Sequence, residues 1–136
     1  MAFSQEMLEI KKNLEGGGYV VSLPGETEAY IFDPSLLKTA VDGVANVGAE
    51  RKIKNDFIRR HYEKIKESDA ILVLNYDRRG IKNYIGGNTF LEMGFAHILN
   101  KPIYLMRDIP AEMNFILEEI MAMQPVVLNG DLSKLL

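Results

Sequence analysis

The segment Ala70-Ile71-Leu72-Val73-Leu74 is an unbroken apolar run, followed at once by a polar stretch from Asn75 to Asn88. Uniform apolarity without alternation marks a strand buried on both faces, the situation of a strand inside a parallel sheet covered by helices. Two further runs of this kind, Pro102-Ile103-Tyr104-Leu105-Met106 and Pro125-Val126-Val127-Leu128, follow at intervals filled by helical patterns over Thr89 to Leu99 and Glu112 to Met121. Parallel strands need crossover connections, and helices supply them with a right-handed turn. The expected fold is therefore α/β, a three-layer α/β/α sandwich around a parallel, flavodoxin-like sheet.

Upstream of Ala70 the pattern is less regular. Phe3, Met7, Ile10 and Leu14 recur every three to four residues, which predicts an amphipathic helix stopped by Gly16-Gly17-Gly18. Tyr19-Val20-Val21-Ser22-Leu23, closed by Pro24, reads as a short buried strand. Residues 24–49 show no sustained period and form a connection of the length that often walls a site. They carry Glu26, Glu28 and Asp33, solvated carboxylates able to serve as acid, base or hydroxyl ligand. A polar helix from Glu50 to Glu67 places Ile53, Phe57, His61 or Tyr62, and Ile65 on one face. The usual first strand of a doubly wound domain is missing.

At 136 residues, with 47% hydrophobic and 26% charged side chains, the chain has the composition of a single globular domain spanning residues 1–136. Sixteen basic against nineteen acidic residues leave a net charge of -3, without the cationic surface of a nucleic-acid binder. No cysteine is present, so disulfides, thiolate metal sites and a cysteine nucleophile are excluded together. No apolar run approaches the ~18 residues of a membrane-spanning helix, and a cytoplasmic protein is expected. His61 and His97 are each read as bland, partly exposed histidines. His97 lies five residues after Glu92, about 140° around a helix, so the two cannot share a metal.

The chemistry concentrates between Asn75 and Ala96, at the carboxyl end of the most buried strand, where open α/β sheets bind ligands. Gly86, Gly87, Asn88 and Thr89 open a helix, whose first amides favour an anion. Arg78, Arg79 and Lys82 offer a phosphate three cations, against the plain alternative of a solvated basic loop. Tyr76 and Tyr84 offer planar faces to a base or simply cover the core rim. Glu92 has two readings. Thr89-Phe90-Leu91-Glu92 fits a capping box, in which the glutamate returns to the cap amide. The same carboxylate, kept ionised near a helix start, can act as a nucleophile. Gly94 permits close helix packing or leaves room beside Glu92.

Ser-Asp-Ala-Ile-Leu-Val-Leu at 68–74, Gly-Asn-Thr-Phe-Leu-Glu-Met-Gly-Phe-Ala at 87–96 and Asn-Lys-Pro-Ile at 100–103 together resemble the nucleoside 2-deoxyribosyltransferase family, which includes deoxynucleoside monophosphate N-glycosidases. The resemblance covers most of the chain and is most specific in the Glu-x-Gly-x-Ala helix. It implies that Glu92 attacks the anomeric carbon of a deoxyribose, with water or a second base resolving the covalent sugar. Thr89, Gly94 and Ala96 match as well. Gly86 stands where the family has Asp or Ser, and Asn88 where it has glycine. Asp77, Asn88 and Tyr84 are the groups at hand to replace the lost polar side chain.

The implied substrate is a nucleoside or nucleotide, bound through Asn75, Asp77, Tyr84, Gly86, Gly87, Asn88 and Thr89, with no metal or redox cofactor. A nucleotide sensor of the same fold, in which Glu92 only caps, is the alternative function. The resemblance also implies a homodimer or higher homo-oligomer, with Met113, Phe115, Ile116, Leu117, Met121 and Met123 available for contact or for the core. It further implies an upstream strand and loop, so that Met1 is expected to be an internal methionine. Otherwise a symmetry partner or an altered strand order fills the gap.

Overall fold

The computed structural model describes residues 4–23 and 56–135. The expected connection over residues 24–49, with Glu26, Glu28 and Asp33, lies outside the described residues, as does Ile53. The chain divides into two compact units, Met1–Lys64 and Ile65–Leu136.

In the first unit, helix α1 spans Ser4–Gly16, as its apolar spacing predicts. The chain turns away after it through Gly18, whose positive φ of 95° is open to glycine at little cost. The Tyr19 and Gly17 amides both donate to the Leu14 carbonyl, at 3.0 Å each. The strand expected over Tyr19–Leu23 does not form. Val20 is 98% exposed, and only Leu23 is buried. An apolar run becomes a strand when a neighbouring edge pairs with it, and here the backbone is irregular.

Helix α2, Phe57–Glu67, begins in the first unit and ends in the second. Its inward positions repeat as Phe57, His61 and Ile65, one turn apart. His61 is buried rather than partly exposed, and its ring stacks on Phe57 with centroids 6.4 Å apart and an interplanar angle of 17°. Lys64 fastens the helix to the preceding segment, its Nζ donating to the Leu23 carbonyl at 2.7 Å.

The second unit holds the sheet. Strands β1 (Ile71–Val73), β2 (Ile103–Leu105) and β3 (Val126–Val127) lie in the order β1-β2-β3 and are parallel throughout. Ile71 pairs with Ile103 and Val73 with Leu105, while Tyr104 pairs with Val126 and Leu105 with Val127. The central strand is buried on both sides, as are Ile103, Tyr104, Leu105 and Met106 in sequence. Helix α3 (Gly87–Ile98) connects β1 to β2, and helix α4 (Asn114–Ala122) connects β2 to β3. The chain closes with a 3-10 turn at Leu132–Lys134.

Each helix brings one side to the sheet. Met93 and Ala96 of α3 and Ile116 and Ile120 of α4 join Val73, Ile103 and Leu105 in one core, together with Ile65, Ile85 and Met113. Of the residues weighed for an oligomer contact, Met113 and Ile116 are therefore committed to this core, whereas Phe115 and Met121 are exposed. Helix α3 ends in a Schellman arrangement. Asn100 takes φ of 57°, its amide donates to His97 O at 3.1 Å, and the Lys101 amide donates to Ala96 O at 2.8 Å. Pro102 then starts the approach to β2. His97 is exposed, in line with the sequence. No helix among the described residues is long and apolar enough to cross a membrane.

Candidate functional site

All three strands of a parallel sheet deliver their carboxyl ends to one edge, so the loops that follow them share that edge. The longest is a hairpin leaving β1. Arg78 and Ile81 exchange both backbone hydrogen bonds, at 3.0 and 2.9 Å, across the two residues Arg79 and Gly80. Both take positive φ, 54° and 74°, the signature of a type I′ turn, whose twist matches paired strands. Farther down, the Tyr84 amide donates to Tyr76 O at 3.1 Å and the Asn83 amide to Asp77 Oδ1 at 2.9 Å.

Asn75 joins this hairpin to the loop after β2. It is fully buried, and its amide is spent on the neighbouring backbone. Nδ2 donates to the carbonyls of Arg107 and Asp108 at 3.1 and 2.8 Å, and Oδ1 accepts from the Arg107 amide at 2.8 Å. Asn75, expected among the substrate-binding residues, is placed here with its side-chain amide on the loop backbone. It positions the loop, and Asp77 likewise holds the hairpin through Asn83.

The hairpin cations separate. The Arg78 guanidinium lies 5.8 Å from the Tyr84 ring centroid, and Arg107 lies 5.6 Å from that of Tyr76. One face of each tyrosine is thus taken by a cation, an attraction worth about 0.5–1 kcal/mol at an exposed site. Arg79 is exposed at the turn. Lys82 alone of the three expected phosphate ligands lines a cleft of about 380 Å³. Lys82 and Asn83 form one wall, Arg107, Asp108 and Ile109 another, and Ala111, Glu112 and Asn129 complete it. Asn83 and Asn129 enter it with positive φ, 57° and 50°.

Glu92 does not line this cleft. Its setting nonetheless differs from the capping box. The N-cap of α3 is Gly86, in extended conformation with no side-chain cap, and the first intrahelical bond runs from the Phe90 amide to Gly86 O at 2.9 Å. Thr89 is the third residue inside the helix and Glu92 the sixth, so the reciprocal Thr–Glu bonds of a capping box have no place here. Glu92 is half-buried, about 40° around the helix from the fully buried Ala96. Gly94 lies about 200° from Glu92, on the other side, and a Cβ there meets nothing within 4 Å among the described residues. Among the described residues, neither room beside Glu92 nor close packing explains that glycine.

Gly87, Asn88 and Thr89 form the first turn of α3, ahead of that first bond, and Gly86 faces the Tyr84 ring. A Cβ on Gly86 would stand 3.4 Å from Tyr84 Cε1 and 3.8 Å from its hydroxyl oxygen. The sequence reasoning missed Arg107, Asp108, Glu112 and Asn129. The rule that singled out the residues after β1 applies equally after Met106 and Leu128, and would have found Arg107, Asp108 and Asn129. Among the described residues no group of three His, Cys, Asp or Glu side chains is set to hold a metal ion. Comparison with protein-family models, with curated proteins and with solved structures gives no match.

Proposed function

We propose that this chain breaks or transfers the N-glycosidic bond of a deoxynucleoside or its monophosphate, with Glu92 as the nucleophile, on a flavodoxin-like three-layer scaffold like that of the deoxyribosyltransferases it resembles. The observation that carries the reading is the N-cap of α3 at Gly86, which takes the capping-box role away from Glu92 and sets its half-buried carboxylate in the second turn of the helix. In the proposed reaction a Glu92 oxygen bonds to the anomeric carbon as the bond to the base nitrogen breaks, and the electron pair leaves with the base, which takes a proton. Water or a second base then displaces the carboxylate and restores it. The first turn of α3, from Gly87 to Thr89, supplies amides for a sugar oxygen or phosphate.

A second reading, a nucleotide-binding module without catalysis, draws on two observations. Gly86 offers no polar side chain where the resemblance calls for one, and the cleft of charged residues excludes Glu92. Chromatography of deoxynucleoside monophosphates incubated with wild type and Glu92→Gln separates the two. The enzyme reading expects free base from wild type and a loss of about 10³-fold or more in the variant. Equal release by both proteins removes Glu92 from the mechanism. Thermal stabilisation by nucleotide without any product selects the binding module.

A further inference from the structure

We propose that the cleft at the carboxyl edge of the sheet binds a small sugar phosphate, at a site separate from Glu92. The cleft brings two cations, Lys82 and Arg107, together with two carboxylates, Asp108 and Glu112. No ion pair joins them: among the described residues the salt bridge is Arg59–Asp56. Arg107 rests against Tyr76 and Asp108 Oδ1 accepts from the Ile109 amide at 2.7 Å, yet neither is neutralised by an opposite charge, so the cleft suits a ligand carrying both an anionic group and hydrogen-bond donors. A phosphate monoester of a polyol is such a ligand. Lysine and arginine hold the phosphate oxygens, and carboxylates accept from hydroxyls.

The remaining lining narrows the class. Among the described residues no aromatic side chain lines the cleft, so they give it no platform on which a nucleobase would stack. Its apolar side chains are Ile109 and Ala111, whereas Asn83 and Asn129 add amides able to donate or accept. A volume of about 380 Å³ lies at the small end of ligand pockets, suited to a pentose or hexose phosphate rather than to a whole dinucleotide. Part of the backbone behind the walls is held in place by buried or hairpin side chains. Asn75 pins the backbone of Arg107 and Asp108, and Asp77 pins that of Asn83. Preorganised walls reduce the ordering cost of binding.

The test is a titration of the whole chain with ribose 5-phosphate, ribose and inorganic phosphate, followed by amide chemical shifts and calorimetry. Ribose 5-phosphate is expected to saturate and to move the amides of Lys82, Asn83, Asp108 and Asn129, with each half-ligand at least about tenfold weaker. Lys82→Ala and Arg107→Ala are each expected to weaken binding about tenfold, and both side chains are exposed, so folding is preserved. Shifts that centre on the amides of Gly87, Asn88 and Thr89 instead would place ribose 5-phosphate at the helix of the proposed nucleophile and overturn a separate site. Equal affinity for inorganic phosphate and ribose 5-phosphate overturns sugar recognition. Absence of saturation, or indifference to both cation substitutions, overturns the site itself.

Discussion

Gly94 illustrates how a single position can be misread from its neighbours. Within Glu-Met-Gly-Phe-Ala it invites a functional or packing explanation, yet its Cβ position is open among the described residues and it lies in a regular helix. Glycine inside a helix costs roughly 0.5–1 kcal/mol relative to alanine through backbone entropy. Gly94→Ala is therefore expected to stabilise the protein by about that amount, raising Tm by about 3 °C in a melting experiment. Loss of stability would show that something fills the space. At the other end of the chain Asp131 caps the last turn, its carboxylate accepting from the Ser133 hydroxyl and amide. These bonds hold its carboxyl below the ordinary carboxylate range. A group depressed in the folded state contributes stability above its unfolded pKa and loses it as pH falls through the folded value. Ser133→Ala removes the stronger of the two bonds, so NMR titration of Asp131 is expected to move upward toward the ordinary range.

At the scale of elements, type and order were legible from Ser68 onward and ends were not. Ser68-Asp69 after the helix, Asn100-Lys101-Pro102 before β2 and the apolar cores of all three strands were readable because each is a local signal. The start of α3 was displaced by two residues, from Thr89 to Gly87, because a threonine followed by glutamate outweighed two glycines in the reading. That displacement takes the capping box away from Glu92, so the feature on which the proposed role of Glu92 rests was the least visible. The loop after β2 depends on one side chain. Asn75→Ala leaves the Arg107 amide and two carbonyls without their partners, an expected loss of about 2–3 kcal/mol in urea denaturation. Asn75→Asp should cost more, since it sets a carboxylate oxygen against two carbonyl oxygens. An unchanged midpoint in either variant would deny Asn75 its role.

Across the whole molecule, the alternation of strands and helices after Ser68 foretold a parallel sheet, because crossovers are the economical way to join parallel strands. Burial of His61 followed the spacing of Phe57, His61 or Tyr62 and Ile65 on one face, but not the residue type, since a histidine on a charged helix reads as solvated. Tyr19–Leu23 failed as a strand for a related reason: pairing is a property of two segments, and the sequence displays only one. Because β2 has partners on both sides and is buried throughout, its amides are expected to exchange with solvent most slowly of the described residues. Faster exchange at Tyr104 and Leu105 than in α4 would mean that the sheet opens first. The outermost strand, β3, is only Val126 and Val127, with Val126 well exposed. So short a ribbon gives a passing chain hardly any ladder to extend, and the molecule is guarded on that flank against fibrous association by brevity rather than by charge.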